Sequence, residues 1–472
     1  MLVPTIGIEV HVELKSKAKV YSNSLNAFSP EANKNMTLID YGYPGSLPVL
    51  NREVIDMALK ACLALHCKIN KEMHWDRKNY FYPDLPKGYQ ITQQDTPIGY
   101  DGYLEIEVNG KKKKIGIERI HIEEDTCKSI HSIAGTKLNF NRAGVPLIEI
   151  VSKPDMENGE EAKAYAETLR SILLYLGISD VKIEEGSMRC DTNVSLKEEG
   201  SDKLGTKCEI KNIGSISNVA RSIDFEIARQ TKLLEAGETI KEQTRRFDDS
   251  TMETVLMREK ETGNDYRYFP EPDIPYVILT DEEIEAVRKE LPVLPNELKM
   301  KYRETGMSEL AMNTVIANPE LCAWLENLFT KVNPVITANL LTGDILSYLN
   351  KEKISLKDTK LEQDMLQDLV EALDKKEISS KQGKEILEIL LTKGGNVKEI
   401  RKECGMEQIS DDATLRKMIT EVIENNKESV EDYKAGRDRA VKYLMGQIMK
   451  ASKGQANPAK VNTLLLEMLQ KY

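Results

Sequence analysis

From Ile6 to Leu14 the chain reads IGIEVHVEL and alternates throughout. Ile6, Ile8, Val10, Val12 and Leu14 are apolar, while Gly7, Glu9, His11 and Glu13 are not. Successive side chains of an extended chain point to opposite faces. The pattern therefore predicts a strand with one aliphatic face and one face carrying two carboxylates and an imidazole. Three further segments repeat the theme. In IGIERIHIEEDT the apolar positions Ile115 and Ile117 give way to Ile120 and Ile122, a one-residue phase shift that predicts a β-bulge. Beyond it His121 and Glu123 share a face, with Glu124 and Asp125 at the strand end. SMRCDTNVSL sets Met188, Cys190, Thr192, Val194 and Leu196 against Arg189, Asp191, Asn193 and Ser195. TKCEIKNI sets Cys208 and Ile210 against Lys207, Glu209 and Lys211.

Helical spacing intervenes. REVIDMALKACLAL places Val54, Met57, Ala58, Ala61 and Cys62 on one stripe, and EEAKAYAETLRSILLYLG stops at Gly177. After Pro292 and Pro295 strand signals fade and Leu, Glu and Lys at helical spacing dominate. LRKMITEVI repeats apolar residues at Leu415, Met418, Ile419, Val422 and Ile423, and Asn457-Pro458 reads as an N-cap followed by the first helical position. The pattern predicts an α+β protein with one boundary near 290–295 and a softer one near 400–410.

The length of 472 residues is too great for one core. No stretch has the makings of a secretory signal or a membrane span. Seven scattered cysteines without a Cys-x-x-Cys pair fit the reduced thiols of a cytoplasmic protein. The net charge of −11 argues against nucleic-acid binding by the whole surface, but the charge is uneven. From Tyr433 onward Lys434, Arg437, Arg439, Lys442, Lys450, Lys453, Lys460 and Lys471 are opposed only by Asp438 and Glu467. Such a basic end is a candidate contact for a phosphate backbone.

One polar strand face is the ordinary wet side of a sheet. Four that concentrate carboxylates, one imidazole on the first strand and flanking cations are not. Carboxylates with imidazole suit Mg²⁺ or Mn²⁺ rather than structural zinc, and neighbouring Lys and Arg are what phosphoryl transfer needs. The chain has neither a G-x-x-x-x-G-K-[ST] loop nor a G-x-G-x-x-G turn after a strand, so any nucleotide site is of another kind. In DRKNYFYPDLPKGYQITQ, cations alternate with Tyr80, Phe81, Tyr82 and Tyr89, a composition that can stack a base and hold a phosphate or simply pack as a loop.

These segments, together with YGYPGSLPVLN, FNRAGVPLIEIVSKPDM, TRRFDDSTMETVLMREKE and DYRYFPEPDIP in this order, resemble the B-subunit family of the bacterial aspartyl/glutamyl-tRNA amidotransferases. The end, GQANPAKVNTLLLEML, resembles that family's tail, related to the small YqeY proteins. The resemblance implies a cradle-shaped kinase-like domain over 1–292, an all-α helical domain over 293–405 and a small all-α YqeY-like tail over 406–472. It implies a ligase that forms C–N bonds with glutamine as amido donor. ATP would phosphorylate the side-chain carboxylate of Glu-tRNA(Gln) or Asp-tRNA(Asn), and ammonia from a partner amidase subunit would displace the phosphate. A small C subunit would complete a heterotrimer; neither DNA nor a membrane is an expected partner. The metal cluster, expected to hold Mg²⁺, would fall on Glu9, His11, Glu123, Glu124 and Glu209. Catalytic roles would fall on Glu9, His11, Lys78, Glu124, Asp191 and Lys211, with Lys78, Arg189 and Lys211 toward ATP. Glu13, His121 and Asp125 receive no role, and Glu13 reads as a solvated glutamate. The Tyr80–Tyr89 and Tyr266–Phe269 loops would wall the 3′ end of the RNA or the adenine. Many members carry a four-cysteine zinc clip where this chain has Ser22, Ser24, Thr37 and Asp40, so no zinc is expected and packing would hold the loop. The rival readings are a non-catalytic tRNA-binding scaffold and an independent ATP-dependent carboxylate–amine ligase.

Overall fold

The computed structural model describes residues 2–259, 265–404, 411–434, 439–452 and 456–470. The chain divides into two compact units, Met1–Pro295 and Asn296–Tyr472.

In the first unit the strands are β1 (Leu2–Glu13), β2 (Lys68–Ile69), β3 (Glu72–Met73), β4 (Asp76–Asn79), β5 (Tyr89–Thr92), β6 (Gly99–Val108), β7 (Lys111–Glu124) and β8 (Lys128–Ser132). They continue as β9 (Gly135–Asn139), β10 (Pro146–Ser152), β11 (Met188–Glu198), β12 (Cys208–Lys211), β13 (Gln243–Asp248), β14 (Glu253–Glu259), β15 (Phe269–Pro270) and β16 (Val277–Ile278). Among the described residues nine of them form one sheet in the order β14-β13-β12-β11-β1-β10-β7-β6-β2. All its pairings are antiparallel except β12 with β13. The alternation in β1 is realised: Ile6, Ile8, Val10 and Val12 are buried on one face. That face packs against the helices α2 (Arg52–Ala64), α3 (Gly159–Tyr175) and α4 (Ile216–Glu235). Removing these four aliphatics of one strand from water contributes about 1.5–3 kcal/mol each, which fixes the register, because a one-residue slip would expose them all.

The phase shift in β7 is a bulge. Arg119 faces Val151 but Ile117 faces Ser152, so Glu118 is the extra residue. Helix α3 ends as its sequence indicates, with Gly177 in the left-handed region at φ +66°. A small sheet β15-β4-β5 abuts the end of β7, where the Ile122 amide donates to Gln93 at 3.0 Å.

The second unit is helical throughout its described residues. Leu415, Ile419, Val422, Ile423, Leu444, Ile448, Val461 and Leu465 form a core of their own. Asn457 caps the last helix, accepting from the Lys460 amide at 3.1 Å, with Pro458 at the first helical position. Of the charged tail residues, Arg437, Asp438, Lys453, Lys471 and the side chain of Lys434 lie outside the described residues. Lys460 pairs with Asp412 at 3.2 Å. No described helix is long and apolar enough to cross a membrane.

The four positions of the absent cysteine clip do meet, but through hydrogen bonds rather than apolar packing. Asp40 is buried. Its Oδ1 accepts from the Ser22 hydroxyl at 2.8 Å and its Oδ2 from the Thr37 amide and hydroxyl at 2.8 and 3.0 Å. The Ser24 amide donates to the Ser22 oxygen at 3.3 Å. The cation of the cluster is Lys19, fully buried, whose ammonium donates to the carbonyls of Asn35 (2.7 Å) and Phe140 (3.2 Å) and lies 3.9 Å from Asp40. The loop is thus tied by a buried ammonium and one carboxylate.

Candidate functional site

The face of the large sheet opposite the helices is where the polar strand positions converge. Register decides which of them meet. His11 on β1 stands directly opposite Glu149 on β10 and Arg189 on β11, and Glu149 stands opposite His121 on β7. Four strands therefore contribute one row: Arg189, His11, Glu149, His121. In the next row Glu9 faces Asp191, with Lys211 and Asp191 joined across β11 and β12.

The tightest group is His11, Glu123 and Glu149. His11 Nε2 lies 3.3 Å from Glu123 and 3.5 Å from Glu149, and one ligand atom from each of the three falls within 4.8 Å of the others. His121 Nε2 closes the group from behind, 3.1 Å from Glu149 and 3.8 Å from Glu123. Burial alone would depress the His121 pKa. Glu149 and Glu123 outweigh it and lift the imidazole to about 9. Both carboxyls are correspondingly held below the usual range: burial opposes the ionised form, but the imidazoles around them prevail.

Two carboxylates with an imidazole are a donor set for a divalent cation of the Mg²⁺, Mn²⁺ or Zn²⁺ class. Four of the buried polar atoms without a partner among the described residues belong to residues of this face: His121 Nδ1, Asn193 Oδ1 and the Nε atoms of Arg119 and Arg189. Buried polar groups left unmatched in a fold are costly, and their presence on the strands of this face fits a polar, charged ligand there.

The structure places the other expected residues as follows. Glu9 lies on this face; burial, then Glu149, raises its carboxyl, and Asn193 donates to it at 2.9 Å. Lys78 on β4 sits with its ammonium 4.8 Å from the Tyr266 ring centre, and its pKa is raised because Glu123 and Glu149 outweigh the burial that would lower it. Lys211 bridges Asp191 (2.7 Å) and Glu209 (2.9 Å), and those two carboxylates raise it against burial. Arg189 donates to Asp125 at 3.1 Å.

Glu124 is not brought to the group. Adjacent residues of a strand face opposite ways, and Glu124 takes the side away from Glu123. Its oxygens are held by the Lys87 ammonium at 2.7 and 2.8 Å and the Ile91 amide at 3.1 Å. Glu209, on the right face, sits beyond β11, bound to Lys211 and the Thr244 hydroxyl. Glu149, which the resemblance did not include, stands in the group where the resemblance implied these two. The available signal was a lone carboxylate inside PLIEIVS, flanked on its own face by Leu147 and Val151, and the segment was not among the four polar-faced strands. Glu13 is not a freely solvated glutamate. Burial, with Asp125 adding and Arg189 and Arg142 opposing, pushes its carboxyl up to about 7.

The two tyrosine loops come together beside the group. The Asn79 amide donates to the Tyr266 carbonyl at 2.9 Å, and Phe269 pairs with Arg77. Tyr80, Tyr82, Tyr266 and Tyr268 form a chain of ring contacts at 6.0–6.3 Å, while Phe81 projects 93% exposed. Arg77 is fixed over Tyr89, its ring centre 4.2 Å away, by a bidentate pair with Glu271 at 2.6 and 2.9 Å.

Comparison with known proteins agrees along the whole chain. The GatB/GatE catalytic domain matches residues 4–285 and the GatB domain matches residues 323–469. The B subunit of the aspartyl/glutamyl-tRNA(Asn/Gln) amidotransferase of Bacillus cereus strain AH187 is 50% identical over 468 residues, covering 99% of this chain and 98% of the relative. The protein of the same name from Bacillus mycoides strain KBAB4 is 49% identical over the same shares. With both halves matched and half of all positions identical to such relatives, the chain belongs to the GatB family.

Proposed function

We propose that this chain is the B subunit of a glutamine-dependent tRNA amidotransferase. In this reading it converts Glu-tRNA(Gln), Asp-tRNA(Asn) or both to the amides, by ATP-dependent activation followed by amination. The observation that carries the activation step is the His11–Glu123–Glu149 group with Lys78 beside it. It combines a cation-binding donor set on one face of the large sheet with an ammonium and a tyrosine wall that the small sheet β15-β4-β5 and its flanking loops bring beside it.

The chemistry requires activation because ammonia does not displace oxide from a carboxylate. A carboxylate oxygen of the aminoacyl side chain attacks the γ-phosphorus of ATP, the bond to ADP breaks, and an acyl phosphate forms. Ammonia then attacks the acyl carbon, inorganic phosphate leaves, and one proton is lost to give the amide. His11, Glu123 and Glu149 would hold a divalent ion, which when bound supplies charge neutralisation at phosphate oxygens. Lys78 would face the phosphate oxygens or the substrate carboxylate, and Arg189, pinned by Asp125, would orient the anion from the opposite strand. Lys211, shared by two carboxylates, would hold Asp191 and Glu209 in position. The tyrosine loops would stack the 3′ end of the RNA or the adenine, and the basic tail would touch its backbone. Ammonia would arrive from an amidase subunit in a cytoplasmic heterotrimer with a small C subunit. The three-part division at 292/293 and 405/406 belongs to the same reading; its second boundary lies outside the described residues, and the separate core of the last helices supports it.

The test is His11→Ala in the assembled complex. ATP cleavage that depends on misacylated tRNA collapses, while assembly and tRNA binding persist. Undiminished turnover overturns the activation role and leaves a tRNA-binding scaffold.

A further inference from the structure

Strands β8 and β9 form a hairpin that belongs to no other sheet. Lys128 pairs with Asn139, Ile130 with Lys137 and Ser132 with Gly135. The turn is closed by the Ser132 hydroxyl donating to the Gly135 carbonyl at 2.8 Å. No side chain from Lys128 to Asn139 is buried, Ile130 is 44% exposed, and Ile133 at the tip is fully so. A lone two-stranded hairpin is marginally stable in water, so one kept as an ordered blade has a use for its open faces.

Its root is fastened with care. Arg142 donates to the carbonyls of Thr126 (2.9 Å) and Cys127 (3.1 Å), and the Cys127 amide donates to the Asp84 carbonyl at 2.9 Å. Just past its second strand the Phe140 amide donates to the Asn33 side-chain oxygen and the Asn141 side-chain amide to the Glu31 carbonyl, both at 2.7 Å, tying the root to the distant loop around residues 31–33. The hairpin is the connection between β7 and β10. It therefore leaves the sheet at the end where Glu123 and Leu147 pair, beside the carboxylate group.

Charge says what the blade meets. In a chain of net charge −11, residues 126–148 contain Lys128, His131, Lys137 and Arg142 and no Asp or Glu. Register sets Lys128, Ile130 and Lys137 on one face. Five residues at about 3.4 Å reach roughly 17 Å from the root. We propose that the β8–β9 hairpin is an arm that grips the phosphate backbone of the RNA acceptor stem through Lys128 and Lys137 while the 3′ end enters the site. This rests on the proposed function. Ile130 and Ile133 alone would suit a protein partner equally; the absence of any carboxylate over 23 residues favours a polyanion.

The test titrates a fluorescently labelled, unacylated tRNA(Gln) transcript with the full-length chain between 50 and 200 mM KCl. Each phosphate contact contributes about 0.9 to the slope of log affinity against log salt. Lys128→Ala/Lys137→Ala then lowers the slope by about 1.8, so that wild type loses about 12-fold more affinity across that fourfold range. Lys128→Arg/Lys137→Arg keeps the wild-type slope. An alanine variant with wild-type affinity and slope overturns the arm while leaving the proposed function standing. Loss of co-purification with the amidase at unchanged RNA slope assigns the hairpin to a protein partner and overturns it too. Wild type that fails to bind the transcript at any salt overturns the tRNA reading itself, and the arm with it.

Discussion

Lys19 offers the sharpest test of how this fold is held. Replacing it with Met keeps the stem and removes the ammonium. The carbonyls of Asn35 and Phe140 lose their donor, and Asp40 is left as a buried carboxylate with only Ser22 and Thr37. Removing one partner of a buried pair typically costs about 3–5 kcal/mol. Here a second effect opposes it. Burial outweighs Asp40 and Glu124 and lowers the Lys19 pKa from 10.5 to about 8, so the ammonium is itself a burden that Met relieves. The expected net loss near pH 7 is therefore smaller, about 1–2 kcal/mol. The pH dependence separates the two effects. Between about 8 and 10.5 the unfolded chain holds a proton on Lys19 that the folded chain has released, so wild-type stability rises with pH. The slope is about 1.4 kcal/mol per unit, and Lys19→Met lacks it. The gap between the two proteins thus widens by about 2 kcal/mol from pH 8 to 9.5. Two units need not unfold together, so the assay is hydrogen exchange at amides of this loop, such as Val20, which donates to the Gly144 carbonyl at 3.1 Å. Lys19→Met/Asp40→Asn should recover part of the loss. A gap that stays flat across that window refutes the argument.

Two other substitutions probe the site and its frame. Glu149→Gln keeps the shape of the row and removes one of three donors. Mn²⁺ affinity measured by calorimetry should fall at least about tenfold, and an unchanged affinity would remove Glu149 from the group. Glu226, fully buried on α4, accepts from Arg229 at 2.6 and 3.0 Å, from Gln230 at 2.9 Å and from Thr254 of β14 at 3.0 Å. Glu226→Gln leaves Arg229 and Arg245 short of charge and should cost about 3–5 kcal/mol, seen first as lost amide protection in β13 and β14. Full protection there would show that α4 does not anchor the sheet edge.

Local pattern revealed much of this fold. The alternation in β1, the bulge at Glu118, the polar faces of β11 and β12 and the Asn457 cap were all legible, because each depends on neighbours within a few residues. What was not legible depends on register between distant strands. Nothing near Glu149 announces that it will stand opposite His11, 138 positions earlier. The separation of Glu123 from Glu124 was readable from alternation alone, yet the resemblance drew both toward one ion. Glu13 changed character for the same long-range reason. Its environment is set by Asp125, Arg142 and Arg189, which arrive from other strands. The clip positions showed only that cysteine was missing; the ammonium that replaces it comes from Lys19, outside the motif.

The central place of β1 has a consequence for how the molecule is made. β1 is the fifth of nine strands in the sheet order, and its two neighbours are β10 and β11. It leaves the ribosome before either neighbour, and β11 ends only at Glu198. At about 5–20 residues per second, β1 waits roughly 10–40 s with an aliphatic edge unpaired. Such an edge is a template for wrong pairing. Glu9 and His11 are thus synthesised well before the strands that fix their places, and yield in the cell should respond to chaperone supply more than the finished fold's stability would suggest.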